Sequence, residues 1–221
     1  YLTTTIPYVN AGPHLGHALE FIQADALARF YRESGAQTYF LSGTDENAIK
    51  NIRAAQEENL PAKAFVDRNS EIFRELLKKL NISIDQFIRT TEDRHFKGAQ
   101  ALWQATDKND IYKKQYRGLY CVGCEFFYKS EELDGRGQCY EHPGRPLEKV
   151  EEENYFFRLS KYQDWLYQLI AKDRLRILPL GKKNEALGFI EKGLEDFSIS
   201  RPVERSQGWG VPVPGDATQV I

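Results

Sequence analysis

The chain has 221 residues, 41% hydrophobic and 28% charged, with 30 basic against 32 acidic side chains for a net charge of −2. That is the composition of a folded globular protein large enough for a real core, as one domain or one domain carrying an insertion. It excludes a global basic field for nucleic acid. Any RNA contact must then rest on local patches such as Lys113-Lys114 with Arg117, or Lys182-Lys183, each of which also reads as a solvated face. No apolar run is long enough for a membrane span and no secretory leader is visible, so a cytoplasmic protein without membrane partners is expected.

Tyr1 to Tyr8 reads as a buried strand and turn, rich in β-branched residues. Pro13 then opens a helix whose apolar positions Leu15, Leu19, Ile22 and Phe30 recur at helical spacing until Gly35 stops it. His14 and His17 fall three residues apart on the first turn, on one face, beside free backbone N–H groups and the positive end of the helix dipole. That setting suits a polyphosphate. Gly16 between them leaves room for a flat base against the backbone. The tetrapeptide alone is a short pattern, and a helix histidine is often just a half-buried surface group. The strand–turn–helix context favours function.

Residues 37–41 read as a second strand ending at Ser42-Gly43. Thr44 is expected to cap a helix through Ala48, Ile49, Ile52 and Ala55. Pro61 starts another, with an amphipathic stripe of Phe65, Ile72, Phe73, Leu76 and Leu80. Ile82, Ile84, Phe87 and Ile88 suggest a third strand. Alternation of strand and helix predicts an α/β fold with a parallel sheet flanked by helices on both faces, and a ligand beyond the carboxyl ends of the strands. The character changes near Asp110, and residues 111–157, rich in Tyr, Gly, Cys and charge, read as a small inserted domain. Residues 1–110 and 158–221 then form the main domain, with helical periodicity from Tyr162 to Leu169 and again near Lys183 to Lys192.

All three cysteines lie in the insertion. Cys121-x2-Cys124 is followed, after fourteen residues, by Cys139 and His142. Three thiolates and one imidazole in two knuckle-like pairs are the ligand set of a closed, structural zinc site. A disulfide would leave one cysteine over, and nothing points to an oxidising compartment. The remaining alternative is three unrelated cysteines. Gly123, Gly135, Gly137 and Gly144 are expected to give the backbone freedom that tight turns need.

The segment Ile6-Pro7-Tyr8-Val9-Asn10 with Pro13-His14-Leu15-Gly16-His17 resembles the N-terminal signature of class I aminoacyl-tRNA synthetases, most closely that of the methionyl-tRNA synthetase family. Further stretches agree in order along the chain: Gly43-Thr44-Asp45-Glu46, Phe87-Ile88-Arg89-Thr90-Thr91, Gly118-Leu119-Tyr120-Cys121, Glu153-Asn154-Tyr155-Phe156-Phe157 and Ser198-Ile199-Ser200-Arg201. The resemblance implies a Rossmann-like catalytic domain with a zinc-binding connective insertion. It implies activation of methionine by ATP, with Mg2+, to methionyl-adenylate, then transfer to tRNA(Met). Under it His14, Gly16, His17 and Arg201 would contact ATP, with His14 and His17 stabilising the transition state. Ile6, Tyr8 and Asp45 would line the methionine site, with Asp45 meeting the α-ammonium. Each of these last assignments has a plainer rival: Tyr8 as a core ring, Asp45 as an acid favouring a helix dipole, Arg201 as a surface residue.

The family's second signature, a Lys-rich KMSKS loop, is not found in these residues, so part of a catalytic domain is expected. Rival functions are a related synthetase for Ile, Val, Leu or Cys, a small nucleotidyltransferase with the same histidine motif, or a zinc-ribbon RNA-binding module on an α/β scaffold.

Overall fold

The computed structural model describes residues 1–124, 126–129 and 132–221. They group into two compact units, one of residues 1–101, 118–149 and 209–211, the other of 102–117, 150–208 and 212–221. The first unit thus includes the cysteine-bearing tip of the inserted segment.

Three parallel strands organise the first unit: β1 (Leu2–Thr3), β2 (Phe40–Thr44) and β3 (Gln86–Arg89), in that spatial order. Helix α1 (Leu15–Glu33) joins β1 to β2, and α2 (Ile49–Glu57) and α3 (Ala62–Lys79) join β2 to β3. The expected Rossmann-like parallel sheet with flanking helices is present. Val9, Phe21, Ala55, Phe65, Val66, Phe73, Leu77 and Phe87 form its core. Gly43 is required by space: a Cβ there would lie 2.0 Å from the Ile88 carbonyl oxygen on the neighbouring strand.

Several local expectations are corrected. The second strand runs three residues later than its β-branched and aromatic content suggested. Thr44 ends that strand, its hydroxyl bonded to Glu46 Oε1 at 2.8 Å and lying 2.9 Å from the Ser70 hydroxyl, while α2 starts after Ala48 with no side-chain cap. A buried carboxylate next door outcompetes the helix terminus for that hydroxyl. Helix α1 ends as expected, with Ser34 as C-cap and Gly35 at φ 83°. Its buried face, however, is Phe21, Asp25 and Ala28, whereas Leu15, Leu19, Ile22 and Phe30 are exposed. Asp25 tolerates burial because it accepts bonds from Ser83 N at 2.7 Å, from the Ser83 hydroxyl and from Arg29 Nε at 2.7 Å. Hydrogen bonds available only in the fold, absent from the hydrophobic pattern, choose that face.

Helix α4 (Asp93–Ala105) follows β3 and buries none of its residues, which is why the apolar pattern did not reveal it. Long strands β4 (Ile111–Cys121) and β6 (Glu148–Phe157) follow; β4 ends in an antiparallel hairpin with β5 (Phe126–Tyr128). In the second unit β6 pairs antiparallel with β7 (Phe197–Ser198). Helices α5 (Gln163–Ala171) and α6 (Leu180–Glu191) bury Ile170 and Ile190 in one cluster with Leu194, which follows α6. A small antiparallel sheet of β8 (Arg201–Pro202), β9 (Pro212–Val213) and β10 (Asp216–Val220) has β10 in the middle, with the short α7 (Val203–Ser206) between β8 and β9. Among the described residues no helix is long and apolar enough to cross a membrane.

Candidate functional site

The chain leaves β1, turns through Pro7 to Pro13 and enters α1, which puts the helix N-terminus beyond the carboxyl end of the sheet. His14 is the N-cap, not a first-turn residue, and His17 is three positions in. The two rings close a reciprocal cap: His14 Nδ1 accepts from Gly16 N at 3.1 Å, and His17 Nδ1 accepts from His14 N at 3.1 Å. Accepting through Nδ1 assigns the proton of each neutral ring to Nε2. The rings stack at 3.8 Å between centroids, and Phe73 meets His17 edge-on at 5.3 Å. Burial and the neighbouring His14 charge lower the His17 pKa below 6.5, against a weaker upward pull from Glu20. His17 is therefore a neutral donor at pH 7. A Cβ on Gly16 would come within 2.9 Å of the His14 ring, so glycine is what allows His14 to cap.

Asp45 follows β2 directly. It forms a parallel bridge with Tyr8, and its backbone N–H donates to Pro7 O at 2.9 Å, so these two sequence-predicted residues stand side by side at the strand ends. Lys50 Nζ lies 3.3 Å from the Tyr8 ring centroid, an arrangement that holds the ring by cation–π attraction. Asp45, Tyr8 and Ile6 are half-buried. Asp45 precedes α2 by several residues and does not cap it; Asn47 N, a neighbour within the loop, donates to Asp45 Oδ1 at 3.3 Å. Arg201 belongs to the second unit, on β8, where its Nη1 is buried without a hydrogen-bond partner among the described residues.

The cysteine tip brings its four residues together, with ligand atoms all within 4.8 Å of one another. Cys124 Sγ lies 3.2 Å from His142 Nδ1 and 3.3 Å from Cys139 Sγ; Cys121 Sγ and Cys139 Sγ lie 3.8 and 4.0 Å from the same nitrogen. Metal–ligand bonds of about 2.0–2.3 Å imply tetrahedral edges of about 3.3–3.8 Å, which these distances bracket. No disulfide forms among the three thiols. The Tyr128 hydroxyl donates to Cys124 Sγ at 3.2 Å, the kind of outer hydrogen bond that orients a ligating thiolate. Burial opposes ionisation of Cys139, but bonds from Tyr128, His142 and Cys124 bring its pKa down to about 6. Gly123 serves space, not turn freedom: a Cβ there would sit 2.5 Å from the His142 ring, while Gly137 and Gly144 do take positive φ. The donor set, spacing and cradle fit zinc.

A profile of the family described as tRNA synthetases class I (M) matches residues 1–221. The methionine–tRNA ligase of Brucella suis is 47% identical over the whole chain. The chain belongs to the class I methionyl-tRNA synthetases. The corresponding ligase of Thermosynechococcus vestitus is 45% identical, again over 100% of this chain and 41% of its own length. The structure of Mycobacterium tuberculosis methionyl-tRNA synthetase in complex with methionyl-adenylate superposes with a TM-score of 0.93 at 41% identity, covering all of this chain and 43% of that one. The chain spans 43% of the Brucella suis relative's length.

Two stretches that carried the resemblance, Gly43–Glu46 and Phe87–Thr91, had no chemistry assigned beyond Asp45. In this chain they meet. Glu46, fully buried, receives Arg89 Nε at 2.7 Å and Nη2 at 2.9 Å, and Arg89 also reaches Asp67 Oδ1 at 2.5 Å. Those bonds, led by the one to Glu46, raise the Arg89 pKa against the opposing effect of burial. Pairing of residues so far apart in sequence leaves no local signal.

Proposed function

We propose that the chain is the methionine- and ATP-binding part of a methionine–tRNA ligase, which forms methionyl-adenylate and passes the methionyl group to tRNA(Met). The observation that carries this reading is the reciprocal histidine cap at the start of α1. Both Nδ1 atoms are occupied by backbone N–H groups, which leaves two Nε2–H donors and the helix N-terminus available to a phosphate. Methionine's carboxylate oxygen attacks the α-phosphorus of ATP, the bond to the bridging oxygen breaks, and pyrophosphate departs with the electron pair. That carboxylate is already ionised, so no base is needed. Catalysis is positioning and charge stabilisation, supplied by His14 and His17. Gly16 leaves room for adenine. Mg2+ accompanies ATP as part of the substrate.

Asp45, beside Tyr8 and Ile6, receives the α-ammonium through a charge-assisted bond. Arg201 contributes to the nucleotide site, where an anion would satisfy its buried Nη1. Cys121, Cys124, Cys139 and His142 hold a zinc ion that acts as a structural crosslink, since all four ligand positions come from protein. The protein works in the cytoplasm.

Methionine-dependent exchange of pyrophosphate into ATP by the full-length polypeptide is the direct test. Exchange stimulated by methionine and by none of Ile, Val, Leu or Cys is expected. Exchange driven by one of those four, or none at all from folded zinc-loaded protein, would overturn the proposal.

A further inference from the structure

Half-buried Asp45 is the end of a much larger buried arrangement. Every backbone polar group of Asp45 and Glu46 is engaged: Asp45 N with Pro7 O at 2.9 Å, Asp45 O with Asn51 Nδ2 at 3.2 Å, Glu46 N with Thr90 Oγ1 at 2.7 Å, and Glu46 O with Trp209 Nε1 at 2.7 Å. The Glu46 side chain is held by both nitrogens of the Arg89 fork, by Thr44 and by Thr91. A buried ion pair of this kind adds little net stability over an apolar replacement, but its geometry is demanding. It fixes the peptide that carries Asp45.

The Thr90 hydroxyl bonds to both members of the pair. It accepts from Glu46 N and donates to Asp45 Oδ1 at 3.4 Å, a slack bond of the sort common in unliganded sites. Thr90 is itself 4% exposed, and its own backbone is tied down, N–H to Thr44 O at 3.2 Å and C=O to Asn47 Nδ2 at 3.0 Å. Its rotamer is therefore set by the Glu46 N–H, and the remaining hydroxyl proton has the carboxylate as its acceptor. Asn47 N donates to the same oxygen.

We infer that Thr90 is a positioning residue: its hydroxyl, locked by the Glu46 N–H, fixes the Asp45 carboxylate for methionine's α-ammonium. This rests on the role proposed above for Asp45. Thr90 is buried and would act through Asp45, so its effect should appear in methionine affinity alone and only while Asp45 is intact.

The test uses the full-length polypeptide and measures methionine and ATP dissociation constants by calorimetry, with a thermal melt, on Thr90→Val, Thr90→Ser, Asp45→Asn and the Asp45→Asn/Thr90→Val double variant. Thr90→Val should weaken methionine about five- to tenfold, the scale of one hydrogen bond, with ATP unchanged. Thr90→Ser should restore affinity. The double variant should bind no worse than Asp45→Asn, the non-additivity expected of residues acting as a unit. Normal methionine affinity in Thr90→Val, equal loss for ATP, or additive losses would each overturn the inference. Unchanged methionine affinity in Asp45→Asn would instead remove the reading of Asp45 itself, and the inference with it. If Thr90→Val melts below the assay temperature, Thr90→Cys takes its place, keeping the volume with a weaker donor and a smaller expected loss of methionine affinity.

Discussion

Under the proposed function each imidazole at the start of α1 has two jobs, on different nitrogens. Nδ1 of His14 and of His17 completes the helix cap, and Nε2 is left for the proposed phosphate contact. Substitution can separate them. His14→Ala should lose both, lowering stability by about 1 kcal/mol, the usual cost of a lost N-cap, and adenylate formation by about 10²–10³. His14→Asn keeps an N-cap acceptor, so it should retain most of the stability while losing activity about as much as alanine does. His17→Ala should match the activity loss. Single-turnover adenylate formation alongside chemical denaturation checks this, and a His14→Asn enzyme with near-normal activation would reduce the histidine to a cap.

Helix α1 as an element is anchored by Asp25, not by the apolar positions that announce it. The carboxylate ties the helix to Ser83, just before β3, and to Arg29 one turn on. Burial alone would raise its pKa, but the bonds from Ser83 and Arg29 outweigh that and lower it below 3.8. A depressed carboxylate contributes stability that is full above its unfolded value and is lost as pH falls through the folded one. Asp25→Asn should therefore destabilise the protein by about 1.5–3 kcal/mol at neutral pH, the range for a hydrogen bond to a charged group. The gap from the parent should close as acid protonates Asp25. Denaturant midpoints of both proteins from pH 7 to below 3.8 would show it.

At the scale of the whole molecule, the cysteine tip contributes to the same compact unit as the parallel sheet, and under the proposed function its local order rests on the four gathered ligand atoms. Among the described residues of the tip, the buried apolar side chains are Tyr120, Cys121, Leu133 and Cys139. Removing zinc by chelation should therefore collapse hydrogen-exchange protection in residues 118–149 while β1, β2 and β3 keep theirs. Elemental analysis should find about one zinc per chain before treatment, as one closed tetrahedral site requires. Retained protection at the tip after complete zinc loss would mean that packing alone holds it.

Read alone, the sequence determined the alternation of strand and helix, the helix start that carries His14 and His17, and the knuckle of Cys121, Cys124, Cys139 and His142. These are legible because their chemistry is local: periodicity, capping and ligand spacing are written within a few dozen residues. The tertiary structure decided which face of α1 is buried, that Thr44 serves a carboxylate rather than a helix end, and that Gly123 makes room for a ring. It also decided that Glu46 closes on Arg89 and Thr90, 43 and 44 residues away. A buried polar partnership has no period and no preferred spacing; only the fold brings its donors and acceptors within reach, and burial then makes each pairing obligatory.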